Sequence, residues 1–221
     1  MQTDVVVIGA GAAGLMCAFT AAARGRRVLI LDHANKAGKK ILMSGGGRCN
    51  FTNLYTEPAN FLSGNPHFCK SALKRYSQWD FIELVDRHGI AWHEKTLGQL
   101  FCDGKSTQIV EMLLAEMRAA GAELWLGTSV IWVRHDGSRF SVVLERDGQR
   151  TAVTARNLVL ASGGKSIPKM GATGLAYDLA RQFGLAVTET RPALVPLTFS
   201  DQRFAPLSGV SLPVTATANG T

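Results

Sequence analysis

Close to its start the chain turns wholly apolar. Val5-Val-Val-Ile8 is a short run without polar positions, the pattern of a parallel strand covered on both faces. Gly9 to Gly14 supplies a turn, and Ala13 to Arg24 predicts an alanine-rich helix stopped by Gly25. Val28 to Leu31 predicts a second buried strand, closed by Asp32. Strand, glycine turn, helix, strand and acid in about thirty residues make one right-handed βαβ crossover.

Beyond it, Lys36 to Asn53 is polar and glycine-dense and predicts a long loop, too flexible at Ser44-Gly-Gly-Gly47 to be regular structure unless a ligand orders it. Apolar residues at helical spacing predict one helix within Pro66–Arg87 and another from Ser106 to Gly121, their Met and aromatic stripes reading as core. After Glu123 the period becomes two. Val130–Val133, Phe140–Leu144, an Asp147-Gly148 turn and Ala152–Thr154 predict a β-meander. Asn157–Ala161 returns to a buried strand and runs into Ser162-Gly163-Gly164, followed by a helix over Thr173–Phe183. Pro192 and Pro196 mark a shift to Thr-rich, strand-like sequence. The expected division is therefore 1–191 and 192–221, and the lack of a closing element at the end reads as a fragment of a longer protein.

Composition bounds the class. At 221 residues, 46% hydrophobic and 19% charged, the chain has the make-up of a packed globular protein and not of a disordered one. The net charge of +7 suits an anionic ligand or partner, and most of it is local. Between Arg24 and Arg48 seven basic residues face one acid, Asp32. Arg24, Arg26 and Arg27 at a helix end read as a solvated rim, whereas Lys39, Lys40 and Arg48, set among glycines, favour phosphate contact. Cys17, Cys49, Cys69 and Cys102 form no C-x-x-C pair or zinc spacing, which predicts reduced thiols in a cytoplasmic protein and no metal. The triplets at Asn50 and Asn219 are discounted as glycosylation sites on the same ground. Val5–Ala23 is uncharged and long enough to raise the membrane question, but its glycine and alanine content and the lack of a basic leader argue for neither span nor signal.

Gly9-x-Gly11-x-x-Gly14 gains its force from context, since it follows a buried strand, opens a helix and has Asp32 at the end of the next strand. Gly9 permits the turn, Gly11 admits a pyrophosphate, Gly14 lets the helix pack, and the amides of Ala12 and Ala13 face the anion. Asp32 accepts from ribose hydroxyls and disfavours a 2′-phosphate. NAD and FAD share that fingerprint. The second basic, glycine-rich loop, with Lys39, Lys40, Ser44, Gly45, Gly46, Arg48, Cys49 and Asn50, places amides and cations where an extended dinucleotide continues, and so selects FAD. A meander leading to Ser162, Gly163 and Gly164 fits the layout of two-dinucleotide flavoproteins.

Over essentially its whole length the sequence resembles the BaiN/RdsA-like NAD(P)/FAD-dependent oxidoreductases, bacterial flavoproteins of the glutathione-reductase-like superfamily. The resemblance is carried by Lys40-Ile-Leu-Met-Ser-Gly-Gly-Gly-Arg-Cys-Asn-Phe-Thr-Asn53, Trp92–Phe101, Leu160–Gly164 and Leu194-Val-Pro-Leu197. It implies an α/β two-dinucleotide (Rossmann-like) FAD-binding domain with a β-meander, plus the start of an inserted β-rich domain, and a flavin contact through the backbone at Val130. It also implies reduction of a carbon–carbon double bond, with NAD(P)H as reductant and either a uridine of ribosomal RNA or a steroid-like enone as substrate. Such a reaction needs a hydride at one carbon and a proton at the other. Cys49, Cys102, His67 and His93 are candidate proton donors, with Cys49 the best placed of them by its position in the loop, and the plainer reading, a small residue in a tight loop, is the favoured one for it. The competing reading is a non-catalytic FAD- or RNA-binding fragment.

Overall fold

The computed structural model describes residues 1–221 except 168–170, 172, 193–198, 211, 216 and 218–221. The Leu194–Leu197 motif, Pro196 and the Asn219 triplet thus lie outside the described residues. The chain forms two compact units, Met1–Val187 and Thr188–Thr221. In the smaller, Phe199 packs edge-on against Phe204 at 4.8 Å beside a 3-10 turn over Ala205–Leu207, and no strand is found among its described residues.

The larger unit is built on a six-stranded sheet. In it β1 (Gln2–Ile8) pairs in parallel with β2 (Val28–Leu31), and β2 with β6 (Glu123–Trp125). The strand order is β6-β2-β1-β9-β8-β7, with β7 (Thr128–His135), β8 (Phe140–Arg146) and β9 (Gln149–Leu160) supplying the other half. The apolar runs have the cause the sequence indicated. Val5, Val7, Val28 and Ile30 face a core shared with α1 (Ala12–Ala22) and α5 (Thr107–Ala119). Val6, Ile8, Leu29 and Leu31 face a second core with the meander and Leu179 of α6 (Leu175–Gln182). Both sides are covered, so neither can be polar. The expected α/β Rossmann-like FAD-binding architecture with a meander is met.

Three local expectations are corrected. The third meander strand and the Asn157–Ala161 strand are one element, β9. Its first half pairs antiparallel with β8, and its second half pairs in parallel with β1. Polar Arg156 and Asn157 follow the point where the partners change, and they masked the continuity. The Pro66–Arg87 helix is two helices, α3 (Lys70–Arg75) and α4 (Gln78–Arg87). Ser77 breaks it by capping. Its backbone N–H donates to Asp80 Oδ2 at 2.6 Å, a reciprocal box that starts a new helix. The Lys36–Asn53 loop is largely regular: α2 (Lys39–Met43), a 3-10 turn over Ser44–Gly47, then β3 (Asn50–Asn53). That strand joins β4 (Trp92–Glu94) and β5 (Gln99–Cys102) in a small sheet of order β3-β5-β4.

The Asp147-Gly148 turn is as expected. Its φ angles of 51° and 73° give the left-handed pair that matches hairpin twist.

Candidate functional site

A cleft of about 260 Å³ opens at the carboxyl ends of β1, β2 and β9, where open parallel sheets place their ligands. Gly11, Ala12 and Ala13 line it, together with Asp32, Lys39, Lys40, Ser162 and Gly163. Two separate glycine junctions of the sequence therefore meet in one wall.

Each glycine of the first motif has a distinct physical task. Gly9 has φ +111°, and a Cβ there would come within 2.6 Å of the Ala161 carbonyl carbon and 2.7 Å of Ser162 Cα. Its lack of a side chain lets the two junctions touch, an addition to its role in the turn. A Cβ at Gly14 would collide with the Gly9 carbonyl oxygen and lie 3.4 Å from Ala161 Cβ, so the helix packs on the turn itself. Gly11 differs: a Cβ there meets nothing within 4 Å and would point into open space. At the start of α1 no side chain caps the helix and its first turn holds no acid, which leaves the first amides for a ligand.

Asp32 is held rigidly. Its Oδ2 accepts the Ala10 N–H and its Oδ1 the Ala34 N–H, both at 2.8 Å. Its own backbone is locked between Trp125 O and the Thr128 N–H. Each carboxylate oxygen keeps a free lone pair for a hydroxyl. Across the cleft, Lys40 Nζ donates to Ser166 Oγ at 2.8 Å and reaches Gly164 O at 3.4 Å. Buried Ser162 Oγ has no hydrogen-bond partner among the described residues, an unmet polar group in the cleft wall.

These features fit a dinucleotide. The open face at Gly11 would admit a pyrophosphate, the α1 amides and Lys39 and Lys40 would balance its charge, Asp32 would meet a ribose, and Ser162 Oγ would gain a partner. Val130 lines a small adjoining recess with Asp32, Thr128 and Ser162. Sequence reasoning missed His33 and Ala34, which line the cleft after Asp32, and Thr128, a buried polar residue at the start of β7 whose N–H donates to the Asp32 carbonyl. His33 carries no pattern that marks it, whereas the lone threonine at a strand start was a usable signal.

The rest of the second loop does not line this cleft. Ser44, Gly45, Gly46, Arg48 and Asn50 form the left-handed turn and the start of β3. At Gly45 a Cβ would stand 2.6 Å from the Phe101 ring, so that glycine serves packing against β5. Cys49, at 4% exposure, is a core residue whose thiol is pushed up by burial, with a Ser44 hydrogen bond opposing the shift. Burial likewise pushes Cys102 up to about 11. All four cysteines are free. His67 is exposed, while His93 Nδ1 lies 2.6 Å from Asp103 Oδ1 and its ring stacks on Phe101. Neither histidine lines the cleft. Among the described residues no cluster of potential metal ligands occurs, and no helix is long and apolar enough to cross a membrane.

Residues 3–220 match the family model described as "HI0933-like protein Rossmann domain". The chain belongs to the HI0933-like family. Two curated relatives of this HI0933-like chain carry the name ribosomal RNA dihydrouridine synthase. The one from Escherichia coli is 52% identical over 99% of this chain, and the one from Haemophilus influenzae 50% identical over 98%. A 3-dehydro-bile acid delta(4,6)-reductase from Clostridium scindens is 31% identical over 92%. The chain spans about half the length of these relatives, 54%, 54% and 49% respectively. Among solved structures, a 3-ketosteroid-delta4-(5alpha)-dehydrogenase from Rhodococcus jostii superposes with TM-score 0.57 at 19% identity, covering 74% of this chain and 46% of its own. That likeness supports the HI0933-like Rossmann fold.

Proposed function

We propose that this chain is the FAD-binding part of a flavin-dependent oxidoreductase that reduces a carbon–carbon double bond, with uridine in ribosomal RNA as the substrate and NAD(P)H as the reductant. The cofactor reading rests on one observation above the others: Gly11 opens onto the cleft that Asp32 borders. Gly9, Gly14, Ser162, Gly163 and Gly164 shape the wall, and Lys39, Lys40, Ala12 and Ala13 supply the positive side of a phosphate site. When bound, the flavin supplies a hydride to one carbon of a polarised alkene. This chain's own residues orient the adenosine end and neutralise the phosphates. Cys49 and Cys102 are buried and, like His67 and His93, do not line the cleft, so we assign Cys49 to packing and the proton donor to none of the residues considered.

The substrate reading rests on the relatives' names, because the two ribosomal RNA dihydrouridine synthases are far more similar to the chain than the bile acid reductase is. Purified protein is expected to show flavin absorbance near about 450 nm, or to regain it with added FAD. Its absence under both conditions sinks the cofactor reading. Deletion of the gene is expected to remove a dihydrouridine from ribosomal RNA. An unchanged level transfers the substrate to small enones.

A further inference from the structure

A second cleft, of about 710 Å³, lies on the outer side of α1, and its lining carries three arginines and no acid. Arg24 and Arg26 stand at the C-terminal end of α1, Arg75 ends α3, and Tyr76 follows it. The floor is formed by Met16, Cys17, Thr20 and Ala21. Arg27 next door pairs with Asp4, which makes it the solvated rim residue expected of a helix end. The guanidinium groups of Arg24, Arg26 and Arg75 instead have no acidic or hydrogen-bonded partner among the described residues. The acids whose charge reaches the Tyr76 hydroxyl, Asp80, Glu83 and Glu116, do not line the cleft.

Tyr76, 41% exposed, is the aromatic ring in the cleft lining. Unpaired guanidinium groups beside an exposed ring are the two elements that hold a single nucleic-acid strand, cations tracking phosphates and rings stacking on unpaired bases. Lys70 and Lys74 precede Arg75 on α3.

We infer that this face, centred on Arg24, Arg26, Arg75 and Tyr76, docks a single-stranded segment of RNA. The inference rests on the RNA reading given above and adds where the strand is held. Arg24 and Arg26 stand beyond the opposite end of α1 from Ala12 and Ala13, which line the dinucleotide cleft, so the face is assigned to anchoring substrate.

The test is fluorescence anisotropy with a labelled oligouridylate of about sixteen nucleotides. The Arg24→Ala/Arg26→Ala/Arg75→Ala variant should weaken binding at least about tenfold and lower the slope of log K against log salt by about 2. Tyr76→Ala should weaken it as well, and Tyr76→Phe should restore it. Retained FAD binding in each variant shows that the fold is intact. A charge-matched control, Arg134→Ala/Arg146→Ala/Arg150→Ala on the meander, should bind like the parent. If the parent binds and the cleft variants bind equally, or the control falls as far, the docking face is overturned and the RNA reading stands. If the parent fails to bind the oligonucleotide, both are overturned. Equal binding of anionic lipid vesicles or duplex DNA overturns the assignment to single-stranded RNA.

Discussion

The Ala10 backbone N–H donates to Asp32 Oδ2 at 2.8 Å and so ties the end of β1 to the end of β2. The carboxylate proposed to meet a ribose is thus the same group that holds the glycine turn in place. Asp32→Asn keeps one acceptor but turns an amide donor toward a backbone donor at Ala10 or Ala34. Leaving such a group unpaired costs about 1–3 kcal/mol. FAD affinity measured by flavin fluorescence should fall about 10- to 100-fold, with a lower Tm. Unchanged affinity would remove Asp32 from the site.

Gly11 and Gly14 should separate binding from folding. Gly11→Val adds atoms where the structure has open space, so circular dichroism and Tm should stay near those of the parent while FAD binding disappears. Gly14→Ala drives a methyl into the Gly9 carbonyl and should destabilise the fold by about 1–3 kcal/mol in urea titration. A Gly11→Val protein that keeps its flavin would refute the assignment of the turn.

Lys40 bridges the cleft to Ser166 in this structure, and a phosphate would compete for the same ammonium. Lys40→Met should weaken FAD binding by up to about tenfold and flatten its dependence on salt, as loss of an exposed cation requires. Isothermal titration at two ionic strengths reads both. An identical salt dependence in parent and variant contradicts phosphate contact.

The thiols give a pH prediction with a defined sign. Cys102 ionises near 11 in the folded chain, above its ordinary value of 9.0, because burial disfavours the thiolate. Below 9 both states hold the proton. Between 9 and 11 only the folded state does, so stability must decline as pH rises through that window. Urea midpoints should fall from pH 9 to 11, and less so in Cys102→Ala. Native protein at pH 8 should leave Cys49 and Cys102 unalkylated by iodoacetamide, as read by mass spectrometry, and react at both in urea.

Much of the dinucleotide half was legible because its signals are local. The β1 and β2 runs, the glycine spacing and Asp32 lie within one crossover, and each carries its own period or steric requirement. What escaped has a local signal too short or too easily misread. β4, only three residues long, exists through its pairing with β5, and no three-residue period announces it. The loop around Cys49 looked like a ligand cradle because its glycines are dense. Their positive φ angles instead bring β3 against Phe101 and bury the thiol. Ser77 looked like a helix interior since apolar spacing continues across it, and only the Asp80 three positions on betrayed a cap.

Strand β9 joins the meander by its first half and β1 by its second, so Ile8 acquires its neighbour Leu160 only after some 150 intervening residues have been made. Contacts that span such separations form slowly. The wall of the nucleotide cleft that carries Gly11 and Asp32 is therefore made well before the wall that carries Ser162. A nascent chain that held a nucleotide between both walls would already have closed this strand pair.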